Sequence, residues 1–133
     1  MPRPVWLAVL GHCYDGLPEE ACGLLGGHGE QAEVFVPCAN ADRSSRTFSL
    51  GRDCWEAADR RIGDTGLDIV AVVHSHTHTE AYPSPTDVEE ASNPLLPTDR
   101  WVVVSLRPPA PGMRSYRIEG DTVTEEPIDV LPG

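Results

Sequence analysis

The sequence lacks any apolar run near the roughly 20 residues that a membrane-crossing helix needs. Its N-terminal stretch VWLAVLGH is too short, and the Pro-Arg-Pro before it is a poor lead for a signal peptide. The expectation is a cytoplasmic chain with no membrane partner. Basic residues are scarce: 10 against 21 acidic, a formal net charge of −11. Phosphate backbones are bound by basic stripes, so this balance speaks against nucleic acid. The acids are spread along the chain and read mostly as solvated surface. No CxxC pair occurs among Cys13, Cys22, Cys38 and Cys54, which excludes a cysteine-only zinc knuckle. Without a secretion signal these four are expected to be reduced and mostly buried, with no disulfide. Repeats and low-complexity segments are also missing.

The 133 residues suit a single domain, 1–133, with a core that needs no staples. PVWLAVLGHCY (4–14) predicts a helix with proline near its start. ACGLLGG and EVFVPCAN read as two strands of a hairpin, and Thr47–Leu50 as a further short strand. RDCWEAADRRIGDTG has helical spacing, with Cys54, Trp55, Ala58 and Ile62 on one face and glycines closing it. LDIVAVVHSH is a near-continuous, β-branched apolar run, the pattern of a central buried strand. SPTDVEEASN predicts a short helix, RWVVVSL a buried strand, MRSYRIEG another, and DTVTEEPIDV a final edge strand. Strands and helices mix without strict alternation, so the expected class is α+β or mixed α/β.

Three of the five histidines, His74, His76 and His78, fall within five residues at the end of the apolar run. Residues two apart on a strand point the same way, so His74 and His76 offer two imidazoles to one point. Neutral imidazole is a good zinc ligand, and catalytic zinc takes three protein ligands with a fourth position open. Asp87 is the candidate third. SPTD has the grammar of a helix start, with Ser84 as N-cap, Pro85 first and Asp87 third. Ser-x-x-Asp is also a plain capping pattern, so on spacing alone a zinc site and a helix cap both remain open. His78 follows the strand into a loop and is not expected to be a ligand.

His-x-His, seven residues, then Ser-x-x-Asp resembles the signature of the JAMM (MPN+) zinc metalloproteases, which act on ubiquitin and ubiquitin-like tails. LPEEACGLLGG resembles the upstream segment of that family, and the likeness runs in order through Asn40, the Phe48 region and RSYRIEGDTVTEEPIDV. HSHTHTEAYPSPTDV and SYRIEGDTVTEEP resemble the bacterial branch, similar to the peptidase that removes cysteine from a ubiquitin-like sulfur-carrier protein. Many relatives have proline after the second histidine, where this chain has Thr77; no ligand is lost.

The resemblance implies a JAMM/MPN-like (cytidine-deaminase-like) mixed sheet flanked by helices, Zn2+ held by His74, His76 and Asp87, and catalytic roles for Glu20 and Ser84. Glu19 is the runner-up to Glu20. Zinc in such a site brings the pKa of a water to about 7 and polarises the scissile carbonyl. Glu20 would move the proton, and the Ser84 hydroxyl would donate to the developing oxyanion. The implied partner is the C-terminal tail of a ubiquitin-like sulfur-carrier protein, bound by strand addition. Arg43 and Arg46 are candidates to meet its acids or a leaving carboxylate. For Cys22 the reading is a small buried core residue, for Trp55 and Trp101 core packing, and for His12 and His28 surface turns. Two alternatives stand beside this: a non-catalytic scaffold of the same fold, and a cupin with Glu80 as third ligand. The cupin pattern lacks its later glycine and its downstream histidine. A zinc deaminase is excluded, because HSH lacks the glutamate and PCAN the second cysteine.

Overall fold

The structure of the chain, a computed structural model, describes residues 1–93 and 98–132. Its elements run α1 (Arg3–Asp15), β1 (Cys22–His28), β2 (Gln31–Cys38), α2 (Arg52–Asp64), β3 (Asp68–His76), α3 (Pro85–Ala91), β4 (Arg100–Ser105), β5 (Gly112–Glu119) and β6 (Thr122–Glu126). These strands form one sheet in the order β2-β1-β3-β4-β5-β6. Only the β3–β4 pairing is parallel; the others are antiparallel. The mixed α/β class agrees with the sequence reading. An open sheet with edges at β2 and β6 is not a cupin barrel.

Position in the sheet follows from composition. β3 is buried from Val70 to His76, because its β-branched run can shed water only if both faces are covered. Side-chain alternation then divides the core. Ala71 and Val73 face Val5, Val9 and Cys13 of α1. Val72 faces the opposite layer, with Ala58 and Ile62 of α2 and the large buried Trp101 and Tyr116. Trp55 is only half-buried there. His74 and His76 share the parity of Val72 and emerge on the α2 side.

The β1–β2 hairpin is closed by Gly29, whose φ is 58°. Just before it the register shifts between Gly26 and Gly27. A Cβ on Gly27 would stand 1.7 Å from the Gln31 carbonyl oxygen, so this bulge admits only glycine.

Three expectations are corrected. Thr47–Leu50 forms no strand; one isolated bridge joins Asn40 to Leu50. The segment is organised by a side chain instead. Asn40 donates to the carbonyls of Glu20, Ser44 and Thr47 and accepts from the N–H groups of Asp42 and Ser49. Second, His12 does not sit in a surface turn. It lies within α1, and its Nε2–H donates to the carbonyls of Cys22 and Cys38 at 3.0 and 3.2 Å, fastening the helix across the hairpin. Third, the cysteines are not all reduced. Cys13 and Cys22 are free and buried as expected, but Cys38 and Cys54 form a disulfide with Cα atoms 5.7 Å apart. The first turn of α2 packs back against the end of β2. That meeting is tertiary, and an argument from cellular compartment cannot see it.

The crosslink closes a loop across a sequence separation of 16, worth about 3 kcal/mol in chain entropy. Cys54→Ser is expected to lower unfolding stability by about that amount in a urea titration, and reductant should lower wild type to the same value. Coincident curves with and without reductant would show that the bond contributes nothing.

Candidate metal centre

The centre is built at the C-terminal end of β3. His74 and His76 leave the strand on one face, and α3 brings Asp87 to them. Asp87 is placed by the helix start itself. Ser84 caps α3 by accepting from the Asp87 N–H at 3.1 Å, while the Ser84 N–H donates to Asp87 Oδ2 at 2.9 Å. This capping box points the carboxylate inward. His74 Nε2, His76 Nε2 and Asp87 Oδ2 stand 3.0, 3.0 and 3.1 Å from one another. All three side chains are buried. The cap left open by SPTD is formed, and the same carboxylate is placed where it could also serve as a ligand.

The donor set fits a divalent cation. Ligands of a tetrahedral zinc, each about 2.0–2.1 Å from it, lie roughly 3.3 Å apart, close to the spacing found. Protonation agrees. His76 Nδ1 is 2.9 Å from the Glu80 carbonyl oxygen, which can only accept, so Nδ1 carries a proton and Nε2 is the nitrogen that would face a bound cation. Such a bond to the second ring nitrogen is the usual support of a ligating histidine. The His74 ring is held by packing: Phe48 stacks on it at 4.4 Å and 18°, with Trp101 edge-on at 5.6 Å.

Burial sets the electrostatics. It pushes His74 below the ordinary histidine range, against the opposing pull of Asp87. Burial acts against the Asp87 charge too, but hydrogen bonds from His74 and His76 outweigh it and hold the carboxyl well below the usual carboxylate range. In His76 burial is again outweighed, by bonds to Asp87 and Glu80, and the ring is raised.

Glu20 reaches the site through β1. The β1–β3 register pairs Cys22 with His74. Its extension is marked by Ala21 N–H donating to Ser75 Oγ at 2.8 Å and Ser75 N–H to the Ala21 carbonyl at 2.9 Å. One step further sets Glu20 across from His76. Glu20 is 6% exposed, and its pKa rises from 4.5 to about 7 by burial, offset in part by His76 and reinforced by Asp87. Glu19, the runner-up, is half-buried.

Other candidates fall outside the cluster. His78 and Glu80 are exposed, and Glu80 approaches only through its carbonyl, which corrects the cupin ligand set. Cys22 is buried, its thiol pushed to about 12 by burial, as suits a core residue and not a nucleophile. Sequence reasoning missed Ser75, which docks Ala21, and the role of Thr77, whose hydroxyl donates to the Ser45 carbonyl at 3.0 Å. The residue that departs from the relatives' proline thus ties down the 39–51 segment. Alternation alone would have pointed Ser75 away from the histidines, so no local pattern marks it.

A mixed sheet bearing two histidines at the end of its central strand, with an aspartate from the following helix, defines the JAMM/MPN class. Within it, the chain belongs to the prokaryotic homologs of the JAB domain, a family it matches over residues 2–119. It is 39% identical over 127 residues to the CysO-cysteine peptidase of Mycobacterium tuberculosis, covering 93% of this chain and 85% of that one, which sets it in the branch resembling that peptidase. It is 30% identical over 125 residues to the probable TtuB-protein conjugate cleaving protease of Thermus thermophilus, covering 92% and 78%. Among solved structures, a protein from Desulfitobacterium hafniense superposes with TM-score 0.83 at 30% identity, covering 100% of this chain and 93% of that one. A JAB1/MPN domain protein from Archaeoglobus fulgidus does so with TM-score 0.62 at 16% identity, covering 98% and 95%, and shares the fold.

Because burial raises Glu20 from 4.5 to about 7, ionising it costs the folded chain stability. The cost is absent below about pH 4.5 and complete above about pH 7. Metal-free Glu20→Gln should therefore be more stable than metal-free wild type at pH 8 by about 1–2 kcal/mol, the shift being discounted for solvent screening. The gap should shrink toward pH 5, as read by thermal melts across pH. A gap independent of pH would show that the charge of Glu20 is not its source.

Proposed function

We propose that the chain is a zinc-dependent peptidase. It would hydrolyse the amide bond after the C-terminal glycine of a ubiquitin-like sulfur-carrier protein, releasing cysteine or a related group. The observation that carries this reading is the buried His74–His76–Asp87 cluster with the buried, charge-averse Glu20 beside it. The relatives named for CysO-cysteine and TtuB-conjugate cleavage point to the same substrate class.

His74, His76 and Asp87 would hold the ion. When bound, zinc supplies Lewis acidity to a water and to the scissile carbonyl. The chain supplies the rest. Glu20, with a pKa near neutrality, is matched to accept a proton from the attacking water and return it to the leaving amine. The oxygen of Ser84 accepts from the Asp87 N–H, so its hydroxyl proton stays free to donate to the charge that develops on the carbonyl oxygen. Phe48, Trp101 and the 39–51 segment wall the histidines from bulk water, which strengthens each of these interactions.

A non-catalytic scaffold would need no proton carrier. The burial of a carboxyl at Glu20 that His76 offsets only in part costs such a protein stability for no return, and this favours the enzyme reading.

Purified protein is expected to carry one zinc per chain by elemental analysis, and chelation should abolish release of cysteine from a carrier adduct followed by mass spectrometry. Glu20→Ala should keep the zinc and lose about 100- to 10,000-fold in turnover. Asp87→Ala should lose the zinc itself. Ser84→Ala should cost about 100-fold or more in kcat and about 1 kcal/mol in stability through the lost cap. A fully active Glu20→Ala protein would move the proton transfer to Glu19. Metal-loaded protein inert toward every tail adduct would leave the scaffold.

A further inference from the structure

Beside Glu20 lies a cavity of about 310 Å³, whose wall includes His12, Glu19, Glu20, Cys38, Asn40 and Arg43. This is the small end of ligand-pocket sizes, room for a single small residue and not for a continuing folded chain. Arg43 is its cation. It has φ 47°, the left-handed region, and is the one non-glycine residue there among the described residues. Asn40 holds that turn: its carbonyl accepts from the Arg43 N–H at 3.1 Å and its Oδ1 from the Asp42 N–H at 3.0 Å. Left-handed backbone is costly for a residue with a Cβ, and glycine would sit there freely. The guanidinium makes no hydrogen bond or ion pair among the described residues. All ten basic residues of this acidic chain are arginines, and Arg52, Arg100, Arg114 and Arg117 are each paired with an acid. Arg43 and Arg46 are both exposed, but of the two only Arg43 stands on the cavity wall. A left-handed position is thus occupied by an arginine whose side chain stands on the wall of a pocket beside the proposed proton carrier.

We propose that Arg43 is a specificity residue that binds the free α-carboxylate of the amino acid leaving the carrier tail, so that the site removes a single C-terminal residue in preference to cleaving internal or side-chain amide bonds. This rests on the peptidase reading above. The pocket is complementary to one amino acid. Glu20 faces the nitrogen that must gain a proton, and Arg43 offers two parallel N–H donors to the carboxylate. The reaction is carrier–Gly–CO–NH–CHR–COO⁻ plus water giving carrier–Gly–COO⁻ and H₃N⁺–CHR–COO⁻. The guanidinium stays paired with the same carboxylate throughout.

The test uses zinc-loaded full-length protein and a carrier-tail peptide ending in Gly-Cys, made as the free acid and as the C-terminal amide. Wild type should favour the acid by about 10- to 100-fold in kcat/KM, mostly through KM, the range expected of a hydrogen-bonded charge pair. Arg43→Gly relieves the backbone, so it should fold and keep its zinc, checked by circular dichroism and metal content. Its acid-to-amide ratio should fall to near one, and Arg43→Lys should restore part of the preference. In isothermal titration with free alanine as the probe, wild type should bind and Arg43→Gly should not. Equal rates on acid and amide by wild type would overturn the Arg43 assignment and leave the peptidase standing. So would an Arg43→Gly protein slowed on both substrates in proportion. Hydrolysis of neither peptide by wild type would overturn the peptidase reading and this one with it.

Discussion

The molecule turns on one oxygen. Asp87 Oδ2 accepts the Ser84 N–H that closes the start of α3 and at the same time stands within hydrogen-bond distance of both histidines on β3. Helix capping and the placement of a candidate ligand thus share one oxygen. An exposed cap is worth about 1 kcal/mol and frays easily. Here the cap is buried, so the carboxylate cannot swing to water without uncovering His74. The price of that rigidity is a concentration of lone pairs in a dry place, which a divalent cation relieves.

Around that point the structure accepts local costs. Glu20 is buried, and its pKa is raised to about 7 by that burial, with His76 offsetting it only in part. His74 is wholly buried with Nδ1 unpartnered among the described residues. Arg43 occupies left-handed backbone. A chain selected only for stability would remove all three. Their presence together, with ordinary apolar packing elsewhere, supports the proposal that this end of the sheet is the working end.

The 39–51 segment joins these features. Its ends meet through the Cys38–Cys54 disulfide, and Asn40 replaces a strand ladder with five hydrogen bonds from one amide. From that frame Phe48 covers His74, the Ser44 carbonyl accepts from the Glu20 N–H, and the Ser45 carbonyl accepts from Thr77. The segment is irregular, yet its backbone is tied to Glu20 just before β1 and to Thr77 just after β3. That explains how a loop can hold a side chain such as Arg43 in a costly conformation.

Much of this was legible in the residues before any coordinates. The β-branched run 68–76 could only be a central strand, alternation along it put His74 and His76 on one face, and Ser84-Pro85-x-Asp87 spelled a capped helix start. These are local rules with a period of two or a span of four, and they hold wherever the segment lies. What escaped were contacts between distant segments: the Cys38–Cys54 bond, His12 turned onto the hairpin, Ser75 docking Ala21, and Thr47–Leu50 drawn into a loop by Asn40. The sequence by itself determined which atoms are able to grip an ion and which way each points along its own element. Only the tertiary structure decided that they meet, that Glu20 is buried and that Arg43 borders a cavity beside it. Burial and convergence depend on how helices pack across a sheet, and no stretch of neighbouring residues carries that information.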